Sequence, residues 1–585
     1  MNHSKYSRRD FIKTLGISAT AISIPGWLQR CMTNKRKPNI VLILADDMGF
    51  SDIGCYGGEI RTPNIDKLAA NGLRFTQFYN AARCCPTRAS LLTGLYPQQT
   101  GWGHMEWDAG TDAYRGDLNS SCMTIAEVLK QDNYATYGCG KWHLTKQLGY
   151  WTPNHKFTAG TSKHNWPLQR GFDKFYGIVT GAADYYNPNT LINDNTPIEA
   201  NGENYYFTDA ISDNAVQYIT DHNRRHSNNP FFLYVAYNAP HWPLHALPED
   251  VAKYKGRYDQ GWNVLRKERH KRQIEIGIVN PDWKLPSREE EFNYGIRSLI
   301  TRPLWKDVEH KDWQARRMEV YAAQIDRMDQ GIGKIINVLE NTDNLDNTLV
   351  LFLSDNGASH GQWPKVFTKG NKHMPEWTRD GRPVKMGDNP VVMPGPDDTY
   401  QSYGLWWAAA SDTPFRKYKG WVHEGGIATP LIVHWPAGIK QHGVVNHHVG
   451  HILDIMPTCV DVAGAKYPIE FNDHSIISME GVSLVPTFKG EKINRKPLFW
   501  EHEGNAAIRD GKWKIVRTNT EGENGETADG PWELYDMEAD RTETNNLASK
   551  YPERLKELSL KWEDWANRIG VLPWKELKKR MVSKS

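Results

Sequence analysis

Three stretches of the chain run apolar without interruption: NIVLIL (39–44), PFFLYVAYNAP (230–240) and TLVLFLSDNG (348–357). Their β-branched and leucine content, bounded by polar residues, predicts strands buried on both faces, as in a parallel sheet. Between them the period changes. TPNIDKLAANGLRF (62–75) predicts a helix opened by Thr62 and Pro63 and ended near Gly72. TIAEVLKQDNYATYGCG (124–140) predicts a helix followed by a strand. Before the strand at 348, Met318, Tyr321, Ile325, Met328, Ile332, Ile335 and Leu339 recur at alternating steps of three and four. That stripe predicts a long helix with one face on the sheet. Strands alternating with helices define an α/β fold with a central, mostly parallel sheet flanked by helices.

Elsewhere the patterning is weaker. Residues 251–312, with RKERHKRQ and SREEEF, are charged and read as a solvated excursion. Residues 361–412 are rich in Pro, Gly, Trp and Tyr without a period, which predicts a long binding loop or lid. From about 466 the chain changes character. KPLFWEHEGNAAIRDGKWKIVR and WELYDMEADRTETNNL read as short strands with turns, followed by a helix near 552–568. This predicts a smaller C-terminal α+β domain with an antiparallel sheet at 466–585, after a larger domain at 37–465 and an amino-terminal segment at 1–36.

Composition narrows the function. The 585 residues carry 71 basic and 69 acidic side chains, a net charge of +2, so bulk charge gives no support to nucleic-acid binding. Seven cysteines, an odd and sparse set without a CxxC pair, exclude a disulfide scaffold and a zinc ribbon. The 23 tryptophans fit a protein that handles sugars, and fit a bland core as well. At the amino terminus SRRDFIK precedes the mildly apolar TLGISATAISIPGW. That order predicts an export signal, and Arg8-Arg9 resembles the twin-arginine signal of bacteria, so the expectation is a periplasmic or secreted protein. LQRC, ending at Cys31, fits a lipoprotein cleavage box poorly, so no lipid anchor is expected there. No run approaches the ~20 apolar residues of a spanning helix.

The chemistry begins where the strands end. Asp46 and Asp47 follow NIVLIL directly, and Asp355 and Asn356 follow TLVLFL. In parallel α/β sheets, sites gather at the carboxyl ends of strands. Three carboxylates and an amide are hard oxygen ligands suited to Ca²⁺ or Mg²⁺. Singly, each pair fits a turn or a helix cap equally well. The stretch NAARCCPTRASLLTG (80–94) adds a second feature. Pro86 suits the first turn of a helix, which places Cys84 at a helix amino terminus with Arg88 one turn on. A nucleophile, an arginine and a helix start facing a cation suit a tetrahedral oxyanion, although spacing alone leaves Cys84 open as a small buried residue.

Cys84-Cys85-Pro86-Thr87-Arg88 followed by ASLLTG resembles the C-x-P-x-R signature of the type I, formylglycine-dependent sulfatases. The resemblance extends in order through NIVLILADDMGFSDIGCYGG, TPNIDKLAANGLRFTQFY, GKWHL, APHWP, SDNG and KGWVHEGG. It implies an alkaline-phosphatase-like large domain with a smaller C-terminal domain. It also implies hydrolysis of sulfate esters by Cys84 oxidised to formylglycine (3-oxoalanine), with Cys85 the variable neighbour. The metal ligands carried over are Asp46, Asp47, Asp355 and Asn356, usually around Ca²⁺. Arg88 would hold the aldehyde hydrate, and Lys141 and His143 would contact the hydrate and the sulfate. His241 would protonate the leaving oxygen, and Lys419 would be the second sulfate-binding lysine. Many relatives have Arg-Val-Pro where this chain has Ala428-Thr429-Pro430. The implied partners are a sulfated carbohydrate and a formylglycine-generating or anaerobic sulfatase-maturing enzyme. A phosphonate or phosphate monoester hydrolase and a non-catalytic glycan-binding homologue are the alternatives. Outside the shared blocks, the aromatic and polar stretches at 181–189 and 400–412 nominate Asp184, Tyr185, Trp406 and Trp407 as substrate contacts.

Overall fold

The computed structural model describes residues 36–146, 162–287, 303–361, 376–521 and 527–582. The predicted export signal and Cys31 lie outside them. Residues Pro38–Ser585 form one compact unit.

The three apolar runs are strands, as the patterning predicts. In chain order the strands of the large sheet begin with β1 (Asn39–Ala45), β2 (Leu73–Tyr79), β3 (Ala135–Lys141) and β4 (Lys174–Ile178). Next come β5 (Leu191–Asn193), β6 (Thr196–Pro197), β7 (Phe231–Ala236) and β8 (Thr348–Ser354). A two-stranded ribbon, β9 (Lys385–Met386) with β10 (Thr399–Tyr400), stands apart. Then β11 (Ala428–His434) and β12 (Val444–His451) complete the sheet, in the order β12-β2-β11-β8-β1-β7-β3-β4-β5-β6. At its centre β8, β1, β7 and β3 are parallel neighbours. Every residue of β1, β7 and β8 is buried, because helices cover both faces and leave no polar side for alternation. Removing a side chain there, as in Leu42→Ala, costs about 2–5 kcal/mol by the usual cavity penalty. The strand β11 runs antiparallel between β8 and β2, so it begins at the edge where its neighbours end.

The long helix Lys311–Asn341 buries all seven residues of the predicted stripe. It also caps another element. The helix Pro63–Ala70 ends one residue before Asn71, and Thr62 does not cap it with its side chain. Asp329 of the long helix does so instead, accepting from the amides of Asn64 and Ile65 at 3.2 and 2.8 Å.

The described part of 251–312, residues 251–287 and 303–312, departs from the expectation of a solvated excursion, while SREEEF beyond Ser287 lies outside the described residues. RKERHKRQ lies in a helix, Trp262–Glu275, and turns two arginines inward. Arg269 pairs with Asp52 at 2.7 Å and Glu59 at 2.8 Å, and Arg266 donates to the Pro286 carbonyl at 3.1 Å. Charge density alone does not distinguish a solvated face from a buried ion pair, since the acids sit two hundred residues away. Within 361–412, the described residues form the β9–β10 ribbon and the helix Leu405–Ser411.

The C-terminal strands form a four-stranded antiparallel sheet, Leu498–His502, Asn505–Asp510, Trp513–Arg517 and Glu533–Asp536. The helix Pro552–Ile569 packs Leu558, Trp562, Trp565 and Ile569 against Ile508, Ile515 and Leu534. A further helix, Trp574–Val582, has no counterpart in the sequence reading.

Candidate active site

Four adjacent strands end at one edge of the sheet, and each delivers site residues there. The end of β1 carries Asp46 and Asp47, that of β8 carries Asp355 and Asn356, that of β7 leads to His241, and that of β3 holds Lys141 and leads to His143. The turn after β2 opens the helix Cys84–Thr93, and Lys419 comes just before the antiparallel β11. Asp47 and His143 have φ of 66° and 57°, left-handed conformations that a non-glycine residue adopts at a cost of order 1–3 kcal/mol. Gly357 lets two segments close: a Cβ there would lie 1.9 Å from the Gly425 carbonyl oxygen, and its amide donates to the Gly426 carbonyl at 3.1 Å.

The oxygens and cations interleave. Lys141 Nζ lies 2.6 Å from Asp46 Oδ2. Arg88 donates to Asp355 Oδ2 through Nε at 3.0 Å and Nη2 at 2.9 Å, and to the Lys141 carbonyl at 2.9 Å. Lys419 pairs with Asp47 Oδ1, which also accepts from Asn356 Nδ2 at 2.6 Å. His241 Nε2 lies 3.5 Å from Asp47 Oδ2, while its Nδ1 is 2.7 Å from the Trp242 carbonyl. All ten positions named from the sequence converge here, and all are buried.

Burial sets the electrostatics. It raises the carboxyl of Asp46 above the usual range against the pull of Lys141 and Arg88. Burial, reinforced by Asp46, pushes Asp355 up to about 7 against Arg88 and Lys141. Burial would raise Asp47 too, but Lys419 and His241 hold it at about 2. Burial, with Lys141 and Lys419 nearby, drops the His241 imidazole to about 3 despite Asp47, so it is neutral at physiological pH.

The donor set fits a hard divalent cation. Asp46 Oδ1, Asp47 Oδ2 and Asn356 Oδ1 are buried acceptors with no hydrogen-bond partner. Ligand atoms of Asp46, Asp47 and His241 lie within 4.8 Å of one another. Three unsatisfied oxygens would each cost about 1–3 kcal/mol, and an oxygen-seeking ion relieves that cost.

Cys84 is 2% exposed, at the first position of its helix. The Cys85 thiol beside it, followed by Lys419, Lys141 and His143, draws its own thiol well below the ordinary range against burial. Cys85 points into the core, its Sγ 3.4 Å from Met105 Sδ. The two thiols touch, but burial and the Cys84 thiol push that of Cys85 well above the ordinary range while that of Cys84 is drawn down.

Several contributors went unread in the sequence. Glu106 Oε1 lies 2.6 Å from His143 Nε2. Burial alone would lower the His143 imidazole, but Cys84 and Glu106 raise it. We expect Glu106→Gln to lower kcat and to move the acidic limb of the pH–rate profile to lower pH, because His143 would then lose its proton more easily. A rate loss with an unmoved limb would show that Glu106 does not tune His143. Glu424, in the short helix before β11, accepts from Tyr79 at 2.8 Å, Arg541 at 2.7 Å and Lys514 at 2.9 Å, all fully buried. Lys514 and Arg541 belong to the C-terminal region, so that region clamps the segment carrying Lys419. No local signal marked the partners of Glu424, because each of those contacts spans ninety or more residues, and Glu106 stands 37 residues from His143.

The nominated substrate contacts fare differently. Trp407 is fully buried, donating to the Gln314 carbonyl at 2.8 Å and packed on Trp262, and so is a core residue. Tyr185 is also fully buried; its hydroxyl donates to the carbonyls of Asn238 and His241 at 2.9 and 2.8 Å, which fixes the His241 turn. Asp184 is 2% exposed and its Oδ1 accepts from the amides of Tyr186 and Asn187 at 2.7 and 2.8 Å. Trp406 is half-buried at the edge of the same tryptophan cluster. The aromatic and polar stretches nominated these residues as substrate contacts, and the structure packs the rings of Tyr185 and Trp407 into the interior instead.

A nucleophile position at a helix start, two lysines, an arginine and an oxygen-rich cation cradle define a hydrolase for esters of a tetrahedral oxyanion. The sulfatase family model matches residues 38–465, and that of the N-sulphoglucosamine sulphohydrolase C-terminal region matches residues 415–564. An uncharacterized sulfatase of Schizosaccharomyces pombe is 32% identical over 567 residues, covering 92% of this chain and 95% of its own. The arylsulfatase of Klebsiella aerogenes is 32% identical over 464 residues, covering 77% and 92%. Among solved structures, Ps i-CgsB in complex with a neocarrahexaose aligns with a TM-score of 0.59 and 26% identity, covering 91% of this chain and 93% of that one. The chain belongs to the sulfatase family, and it is a sulfuric ester hydrolase.

Proposed function

We propose that this enzyme hydrolyses sulfate esters of carbohydrates, using a formylglycine made from Cys84 and a divalent cation, Ca²⁺ or Mg²⁺, held by Asp46, Asp47, Asp355 and Asn356. One observation carries the reading: among the described residues, Cys84 is the thiol drawn well toward the thiolate, by the Cys85 thiol first and then by Lys419 and Lys141, and it stands beside buried oxygens that lack hydrogen-bond partners. Converted Cys84 would supply the hydroxyl that attacks sulfur, and the cation would supply charge neutralisation at the sulfate oxygens. Lys141 and Lys419, on either side of Cys84, hold the sulfate and stabilise the charge that grows on its oxygens. Arg88, anchored on Asp355, fixes the position of residue 84. His241, whose Nδ1–H donates to the Trp242 carbonyl, presents an unprotonated Nε2 to the site, so it first takes up the proton that the attacking hydroxyl releases and then passes it to the departing alcohol. His143, held by Glu106, removes the proton that lets sulfate leave.

The sugar class is supported by relatives. The N-acetylglucosamine-6-O-sulfatase of Bacteroides thetaiotaomicron is 25% identical over 610 residues, and Ps i-CgsB was solved in complex with a neocarrahexaose. The twin-arginine-like start supports export to the periplasm or medium, where such polymers are met. A formylglycine-generating or anaerobic sulfatase-maturing enzyme is the partner that conversion requires.

Comparing p-nitrophenyl sulfate with p-nitrophenyl phosphate tests the chemistry, and a marked preference for phosphate would defeat it. Mass spectrometry of the peptide containing Cys84 tests conversion, which lowers its mass by about 18 Da. An unmodified thiol in fully active enzyme would reject the formylglycine step.

A further inference from the structure

We propose that the turn His502–Gly504, together with Arg83, His104 and Trp107, is the subsite for the sugar released from the sulfate, and that it selects a neutral, hydroxyl-bearing ring over one with a further anionic group. The proposal rests on the sulfatase reading above and adds the residues and the charge class of the leaving group.

The patch abuts the centre through its own chain segments. Arg83 immediately precedes Cys84, and a Cβ on Gly420 would lie 3.4 Å from its Nη1, one residue from Lys419. Cys85 Sγ lies 3.8 Å from the His104 carbonyl, and Glu106 of the same loop holds His143. Asn505, at the far side of the turn, donates to the Gly420 carbonyl at 3.4 Å. The turn is rigidly held: Glu501 accepts from the Gly504 amide at 3.0 Å, from Gln98 at 3.0 Å and from Tyr114 at 3.3 Å.

Its polar groups are unsatisfied. His104 and His502 are 3% and 1% exposed, and both ring nitrogens of each lack a hydrogen-bond partner. Their Nε2 atoms converge on one oxygen, Glu503 Oε1, at 3.5 and 3.7 Å. Arg83 Nε is also unpartnered. The two Nε2 atoms have only the long contact to Glu503 and the two Nδ1 atoms have no partner at all, which is costly for buried imidazoles, and a ligand rich in hydroxyls, each donor and acceptor, would satisfy them. A cation is a poorer occupant. Among the described residues, three-ligand groups within 4.8 Å form at Asp46, Asp47 and His241 and at Cys84, Cys85 and His143, and none forms here. Beside the polar groups, Trp107 is 58% exposed and stacks on His104 at 5.5 Å. An aromatic face next to convergent polar atoms is the usual cradle of a sugar ring.

The charge balance sets the preference. Arg83 and Glu503 cancel. Burial keeps His502 neutral, dropping it to about 3 despite Glu503. A second sulfate or a carboxylate on the sugar would meet the Glu503 carboxylate, whose side chain is 35% exposed, without a surplus cation to offset it.

The test uses matured, cation-loaded enzyme, p-nitrophenyl sulfate, monosulfated hexoses and N-acetylhexosamines, and the same sugars with a second sulfate. Wild-type enzyme should favour the monosulfated sugar by about tenfold or more. Glu503→Gln and, separately, Trp107→Ala should lower the ratio of kcat/KM for sugar sulfate to that for aryl sulfate by about tenfold. Glu503→Gln should also narrow the discrimination against the second sulfate. Proportional loss on both substrate types or a wild-type preference for disulfated sugars would each overturn this proposal alone, whereas turnover of aryl sulfate with no sugar sulfate accepted would overturn it together with the carbohydrate part of the reading above. Wild-type enzyme inactive on every sulfate ester would instead overturn the sulfatase reading, and this proposal with it.

Discussion

Cys84→Ala is expected to cut turnover of sulfate esters by at least about 10⁴-fold, because it removes the atom from which the nucleophile is made. The fold should survive. Cys84 is 2% exposed, so losing its sulfur leaves a small void and costs of order 1 kcal/mol. The side chain is enclosed, but its neighbours include Lys419, Lys141 and His143 and not only packed apolar groups. Cys85→Ala gives the contrast. Its sulfur packs against Met105, so thermal stability should fall by a similar amount while kcat stays within about threefold once the protein is folded. Activity assays paired with melting curves separate the two. Full activity in Cys84→Ala, or none in Cys85→Ala, would mean that the reactive position is misassigned.

The sheet and the ten-residue centre could be read from the chain because both are written locally. β1 and β8 are unbroken apolar runs, and Asp46, Asp47, Asp355 and Asn356 follow them without a gap. A strand that ends at the site edge must deliver whatever comes next. What could not be read depends on contacts between distant segments. The pairing of Arg269 with Asp52 and Glu59 turned a charged run inward, and the clamp of Lys514 and Arg541 on Glu424 joined the C-terminal region to the Lys419 segment. Composition cannot tell which charges will meet. Tryptophan richness left sugar handling and core packing both open for a related reason. Trp407 and exposed Trp107 have the same chemistry, and only the fold decides which ring is packed and which is presented.

Adding Ca²⁺ to exhaustively chelated protein should raise the melting temperature and restore activity together. The buried oxygens Asp46 Oδ1, Asp47 Oδ2 and Asn356 Oδ1 have no hydrogen-bond partner, so the folded state without an ion carries an unrelieved desolvation cost. At a hundredfold excess over Kd, binding adds about 2.7 kcal/mol of stability, a rise on the order of 2 °C for a chain this long. The response should depend on pH. Asp355 is pushed up to about 7 by burial and by Asp46, so below that pH a proton competes for the carboxylate and cation affinity should fall. Asn356→Ala removes an uncharged ligand without stranding Arg88, whereas Asp355→Ala would leave that guanidinium buried and unpaired, a loss of about 3–5 kcal/mol. Asn356→Ala should therefore fold yet need at least about tenfold more Ca²⁺ for the same thermal shift. Stripped protein that melts and turns over as the loaded enzyme does would show that the four residues hold no ion, leaving the three oxygens without a purpose.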